Sequence, residues 1–264
     1  MKKRNILISI LFLILLEIFN IFVIGNKFIW WFFIIFILII LISLLWTVGL
    51  PFRKWFSREI ITHSSYLVLP FIFTTTSLLF LSLIRSAILQ QLFIFGSTLF
   101  FYIILIGIRG VILNLDYKIK PRLTYNILSL STLISSFLIY SLVWAFFRDL
   151  SLPVWLVLLI FFFITVLLFY QIFHLFCSLR RRSIIYAIFS ALVIIEVVWI
   201  LCFWPIEYYF LGVLLTIVFY VLWGMIHHKL ENKLNRKIII EYLIVSLIIF
   251  FIILRTSLLV LGII

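Results

Sequence analysis

The chain has 264 residues, of which 67% are hydrophobic and 11% are charged, and its formal net charge is +13. A soluble domain carries about 25% charged residues to cover its surface, so this composition excludes a water-covered globular fold. Lipid is the solvent that suits such an apolar surface. The sequence therefore predicts an all-α membrane protein, a polytopic helical bundle with short loops.

The predicted elements begin with a basic start, Met1 to Arg4, and an apolar run to about Gly25. This run is longer than the roughly 7–15 residues of a signal-peptide core and no Ala-x-Ala-like site follows it, so we interpret it as an uncleaved first span. A span needs about 20 apolar residues. We predict one integral membrane domain over residues 1–264 with about nine spans, approximately 6–25, 28–50, 65–84, 92–113, 124–147, 154–177, 184–204, 208–226 and 238–258.

Loops rich in lysine and arginine alternate along the chain with loops that contain few of these residues. If the N-terminus is cytoplasmic, 17 of the 21 basic residues fall on that side, and only Lys27, Arg85, Arg148 and Arg255 fall on the other. The positive-inside rule then predicts a multi-pass protein of the cell membrane, with a bacterial inner membrane as the expected one and the N-terminus inside. The positive charge is explained by membrane insertion, so we expect membrane lipids and another membrane protein as partners, and no nucleic acid.

The third and fifth predicted spans contain hydroxyl clusters with two interpretations each. Pro70 precedes four hydroxylated residues, Thr74 to Ser77, which is typical of a kinked helix or of a helix broken at a binding site. Ser129, Thr132 and Ser136 share a face of the fifth span, where such residues either let helices approach closely or line a polar conduit.

Polar residues inside spans are costly and often functional. Glu17 lies in the first span with Asn20 one turn later on the same face, Glu196 lies in the seventh span, and Arg255 interrupts the ninth. At about 1.5 Å per residue, the two acids lie in the outer half of the bilayer, with Arg255 somewhat further out. One interpretation is a pocket that binds an ionic group or passes protons. The other is a salt bridge of Glu17 or Glu196 with Arg255 that only holds helices together.

A second candidate cluster lies near the cytoplasmic ends of spans and comprises Gln171, His174, His227 and Arg109. It is interpreted either as a site for a phosphate or a metal, or as ordinary interface residues whose long side chains reach the headgroups. No His-Glu-x-x-His motif, Cys/His ligand set or phosphate-binding glycine loop occurs. We therefore predict no metal, no cofactor and no catalytic residue.

Three functions stay open. The buried acids and short-looped spans favour a small transporter or permease-like protein with a polar pocket in the outer half of the bilayer. A non-catalytic scaffold or complex subunit would instead pack tightly and pair its charges. A membrane enzyme for a lipid-linked substrate would need a lateral groove lined by Arg85, Asp149 and Glu207. The outer loops are very short and supply only the acids Asp149 and Glu207, which disfavours this function.

Overall fold

The computed structural model describes residues 2–25, 39, 58–115, 122–176, 180–204, 206–230 and 235–260. Within these residues every regular element is a helix and there is no strand, which confirms the all-α prediction. The eight helices are α1 (Lys2–Gly25), α2 (Arg58–Leu81), α3 (Ala87–Leu115), α4 (Arg122–Asp149), α5 (Val154–Phe176), α6 (Arg180–Leu201), α7 (Tyr208–Leu230) and α8 (Arg236–Val260).

Five of these helices, α3 to α7, contain stretches long and apolar enough to cross a membrane. The other three carry shorter apolar stretches, Asn5–Ile21, Val68–Leu81 and Ile239–Ile248. The predicted second span, 28–50, lies outside the described residues except for Ile39, so the count of nine stays a prediction, as does the cytoplasmic N-terminus. Arg255 does not end the last helix, because α8 continues to Val260.

The chain forms two compact units, Met1–Ser131 and Thr132–Ile264, and the prediction of a single domain remains a prediction. In the first unit, α1 and α2 both pack on α3. Phe12 of α1 lies 4.6 Å from Phe101, and Phe73 and Phe80 of α2 lie 5.4 Å from Phe100 and Phe93 respectively. As residue numbers rise in α2 they fall in α3, so these helices are antiparallel.

The hydroxyl groups of the α2 cluster form hydrogen bonds within their own helix. Thr75 Oγ1 donates to the Phe71 carbonyl at 2.9 Å, Thr76 Oγ1 to Ile72 at 2.6 Å, and Ser77 Oγ to Phe73 at 2.7 Å. These bonds to the preceding turn let polar side chains be buried in an apolar core. The helix runs unbroken through Pro70, so the broken-helix interpretation is wrong.

In the second unit, α5, α6, α7 and α8 pack in chain order, with the most extensive contact between α5 and α6. Buried aromatic rings fill the core. Tyr140 of α4 lies 5.6 Å from Phe161 and 6.5 Å from Phe219, and Phe169 stacks on Phe219 at 4.2 Å. The Tyr140 hydroxyl lies 3.1 Å from the Thr165 hydroxyl, so this polar group is satisfied without water.

Two glycines of α7 mark close helix contacts. A methyl group added at Gly212 would overlap the Ser141 hydroxyl and lie 3.0 Å from its Cα. A methyl group at Gly224 would lie 2.6 Å from Cε1 of Tyr242 in α8. Within the part of α4 that belongs to this unit, Thr132, Ser135, Ser136 and Ser141 are all buried. Small residues at contacts of this kind let helix backbones approach in an apolar solvent, which supports the packing interpretation of this hydroxyl-rich helix.

Candidate functional site

The two acids predicted to share a site belong to different compact units. Glu17 and Asn20 lie on α1 in the first unit, whereas Glu196 lies on α6 and Arg255 on α8 in the second. Glu196 and Arg255 are both exposed, and no ion pair joins them within the described residues. α7 packs against both helices, and no extensive contact joins α6 to α8 within the described residues. The structure therefore gives contacts for Glu17 and leaves Glu196 and Arg255 on outer faces of their helices.

Glu17 is half-buried and contacts α3. The side-chain amide of Gln91 donates from Nε2 to Glu17 Oε2 at 3.3 Å, a long hydrogen bond that joins the two helices. Phe12 meets Phe101, about three turns further along α3, so α1 and α3 are antiparallel. Gln91 was not a candidate in the sequence, because it immediately precedes the predicted fourth span. The helix begins at Ala87 and includes it.

Asn20 adds a second polar group to the same helix face. Its side chain is 7% exposed, and its Oδ1 atom has no hydrogen-bond partner within the described residues. A buried acceptor without a partner costs about 1–3 kcal/mol, so a hydrogen-bond donor supplied by a ligand would relieve a real deficit. Glu17 and Asn20 thus provide two acceptors, one anionic and one neutral, one turn apart.

An apolar groove of about 390 Å³ runs between α1 and α3. Two of its lining residues, Ser9 and Thr98, donate their hydroxyls to carbonyls of their own helices at 3.0 and 2.8 Å, so they leave the groove hydrocarbon-like. The lining residues are Ile6, Ser9, Ile10, Leu13, Phe95, Thr98, Leu99 and Tyr102.

The helical spacing connects this groove to the polar pair. Residues 6, 10, 13 and 17 follow one another on one face of α1, and residues 91, 95, 98 and 102 do so on α3. Glu17 and Gln91 therefore cap the end of the groove, one turn beyond Leu13 and Phe95. The arrangement suits an amphipathic molecule whose apolar part lies in the groove and whose polar part hydrogen-bonds to the carboxylate.

The second predicted cluster is divided in the same way. Arg109 belongs to the first unit, whereas Gln171 and His227 belong to the second, and the side chain of His174 lies outside the described residues. Gln171 is buried, and its Oε1 has no hydrogen-bond partner among the described residues. His227 stacks on Trp223 at 5.7 Å with an interplanar angle of 14°.

The histidines at the end of α7 lie among aromatic rings. His227 lies 5.8 Å from His228, which lies 6.0 Å from Tyr242 of α8. Over the described part of the chain, no group of three His, Cys, Asp or Glu residues could hold a metal ion. Both histidines therefore pack against neighbouring aromatic rings.

The comparison with known families identifies the chain as a whole. A family model described as "Protein of unknown function (DUF5656)" matches residues 14–256. The chain belongs to this family. No curated protein and no solved structure matches it. The matched range runs from α1 to α8 and contains Glu17, Gln91, Glu196 and Arg255, so both compact units belong to the family unit.

Proposed function

We propose that this DUF5656 member is an integral membrane protein that binds and moves a small amphipathic molecule across the bilayer. Its topology would be the predicted one, with nine spans, the N-terminus in the cytoplasm and a polar pocket in the outer half of the bilayer. The observation that carries the proposal is the pair Glu17 and Gln91 at the end of the groove between α1 and α3.

The chemistry of this site favours a ligand with a cationic or donor-rich headgroup. Glu17 supplies an anionic acceptor and Asn20 a buried acceptor without a partner, so an ammonium or hydroxyl group would satisfy both. The groove contributes apolar wall for a hydrocarbon chain. The long bond from the uncharged Gln91 amide can be exchanged for a bond from the ligand at little cost, since an ammonium or hydroxyl donor binds the carboxylate at least as strongly.

The test uses the full chain reconstituted in phosphatidylcholine vesicles with a trace of phosphatidylethanolamine labelled on an acyl chain with a fluorophore. Chemical reduction of the outer-leaflet dye reports transbilayer movement. We expect wild-type protein to accelerate movement and Glu17→Gln to slow it about 10-fold or more, because a hydrogen bond to a charged group contributes about 1.5–3 kcal/mol. Labelled phosphatidylglycerol, which has no ammonium group, should move more slowly.

Glu241→Gln is the matched control, because Glu241 is an exposed acid on α8, outside the groove. It should move lipid at the wild-type rate. A Glu17→Gln protein that unfolds at the wild-type temperature and still moves lipid at the wild-type rate would contradict the proposal. Wild-type vesicles that move lipid no faster than protein-free vesicles would contradict it as well.

A second candidate function, a subunit of a larger membrane complex, is favoured by Glu196. This acid is exposed on a face of α6 that also exposes Leu192 and Trp199, one turn before and one turn after it. An ionised carboxylate facing lipid is costly, so a partner helix could cover it. The enzyme alternative requires a groove lined by Arg85, Asp149 and Glu207, and the groove between α1 and α3 contains none of them.

A further inference from the structure

A second cleft, separate from the groove at Glu17, lies at one end of the second unit. It has a volume of about 400 Å³, and it is formed by the last turns of α4 and the connection between α6 and α7. Its walls are aromatic except for one cation and one thiol. The lining residues are Trp144, Phe147, Arg148, Cys202, Phe203 and Trp204.

Arg148 provides the charge of this cleft and is held in place by the backbone. One terminal nitrogen of its guanidinium group donates a hydrogen bond to the carbonyl of Ile206. A guanidinium group has five N–H donors in a planar fork, so the remaining donors can bind two oxygens of one anion. Asp149 and Glu207 are exposed nearby along the chain, and neither forms an ion pair with Arg148 in the described structure.

Trp144 provides a second, independent indication of a ligand. It lines the cleft, is only 1% exposed, and its indole nitrogen has no hydrogen-bond partner within the described residues. The ring is fixed by Phe147 and Phe161, whose centroids both lie 5.6 Å away. Because a buried indole N–H normally has an acceptor, an oxygen atom entering the cleft beside Arg148 would supply what is missing.

The neighbouring acids restrict the charge of the anion. Asp149 and Glu207 are exposed and adjoin Arg148 and Tyr208 in the sequence, so negative charge is already concentrated at this end of the unit. A dianion would be repelled more strongly than a monoanion. The aromatic walls, in turn, favour an anion that carries apolar substituents.

We infer that this cleft binds the monoanionic phosphodiester group of an amphipathic molecule. Two phosphate oxygens accept hydrogen bonds from the Arg148 fork, and one of them or a third also accepts the bond from Trp144. Phe147, Phe203 and Trp204 contact the apolar remainder. The inference is independent of the transport proposal, because none of these residues lines the groove at Glu17.

The experiment measures binding to the full chain in a maltoside detergent, which contains no phosphate, by native mass spectrometry. The probe is dihexanoyl phosphatidylglycerol, and dihexanoylglycerol has the same chains without the phosphodiester. We expect the phospholipid to bind at least 10-fold more tightly than the diacylglycerol. Arg148→Gln should remove this preference, whereas Arg85→Gln, a matched exposed arginine in the first unit, should keep it.

Arg148→Lys tests whether binding needs the two parallel N–H donors of the guanidinium group or only its positive charge. It keeps the charge and a donor for the Ile206 carbonyl, so it should fold even where Arg148→Gln does not, and it should bind the phospholipid with intermediate affinity. Competition by millimolar inorganic phosphate would identify a soluble phosphate compound as the source of the ligand, and absence of competition a lipid headgroup. Equal binding of both dihexanoyl probes, or wild-type affinity in both Arg148 variants, would overturn the inference.

Discussion

At the scale of single residues, the two mid-span acids are in opposite situations. Glu17 is half-buried and bonded to Gln91, whereas Glu196 is exposed and has no ion pair with Arg255 among the described residues. Hydrogen bonds between helices in a membrane contribute about 0.6 kcal/mol on average and up to about 1.7. A double-mutant cycle should separate the two pairs.

We expect the cycle of Glu17→Ala and Gln91→Ala to give a coupling energy on the order of 1 kcal/mol. The matched cycle of Glu196→Ala and Arg255→Ala should give none. The free energy of unfolding is measured in mixed detergent micelles with increasing sodium dodecyl sulfate. Coupling in the second cycle but not in the first would show that the salt-bridge interpretation of Glu196 and Arg255 was correct.

A second prediction at this scale concerns Glu196 alone. A charged carboxyl at the centre of a lipid-facing helix costs about 2.5–3.5 kcal/mol on insertion scales. If lipid covers this face, Glu196→Leu should raise the unfolding temperature, while Glu241→Leu, near the start of α8, should change it less. A fall in unfolding temperature, together with loss of a co-purifying membrane protein, would instead favour the complex-subunit function.

Sequence patterns could place these residues in helices but could not determine their surroundings. α6 is apolar on nearly every side between Ile184 and Leu201, so no polar stripe indicates which face Glu196 occupies. Gln90 and Gln91 resemble a loop in sequence. The Gln90 side chain donates to the carbonyl of Ile84 at 2.7 Å, and the Gln91 side chain donates to Glu17 of α1, so both amides bind acceptors outside α3. These contacts depend on tertiary structure.

At the scale of helices, the contact of α4 with α7 depends on the absence of a side chain at Gly212. A methyl group there would overlap Ser141, and both residues are buried. Overfilling a packed contact costs about 1–3 kcal/mol. Gly212→Ala should therefore lower the free energy of unfolding by roughly that amount.

Gly96→Ala is the control for this prediction, because nothing lies within 4 Å of an added methyl group at that position. Alanine has the higher helix propensity by about 1 kcal/mol, so Gly96→Ala should be neutral or stabilising. Adding Ser141→Gly to Gly212→Ala should recover part of the loss. Unfolding of Gly212→Ala at the wild-type detergent fraction would mean that the two helices do not approach this closely.

At the scale of the whole molecule, composition was sufficient to predict the all-helical class, and the apolar stretches of the sequence predicted the positions of most described helices. The predicted span 154–177 corresponds to α5, Val154–Phe176, and 184–204 overlaps α6, Arg180–Leu201. The largest difference is at α2, which begins at Arg58 although the predicted span begins at 65. Residues 58–64 contain Arg58, Glu59 and His63, which hydropathy excludes from a span but which a helix accommodates beyond the apolar stretch.

The orientation of the molecule can be tested at two exposed positions of the second unit. Asp149 ends α4 and Lys237 lies in the first turn of α8, with α5, α6 and α7 between them. Phe173 contacts Tyr186, and Lys229 Nζ lies 5.8 Å from the Tyr186 ring, so α5 and α7 both run antiparallel to α6. If α5, α6 and α7 each cross the membrane, positions 149 and 237 lie on opposite sides of it.

The positive-inside rule assigns position 149 to the outside and position 237 to the cytoplasm. With both native cysteines replaced by serine, Asp149→Cys should react with a membrane-impermeant maleimide on intact cells, and Lys237→Cys should react only after the membrane is opened. With the five predicted spans before position 149, the reverse pattern would mean that the N-terminus lies outside and that Glu17 lies in the cytoplasmic half of the bilayer. Equal reaction of both positions on intact cells would contradict the crossing of α5 to α7 itself.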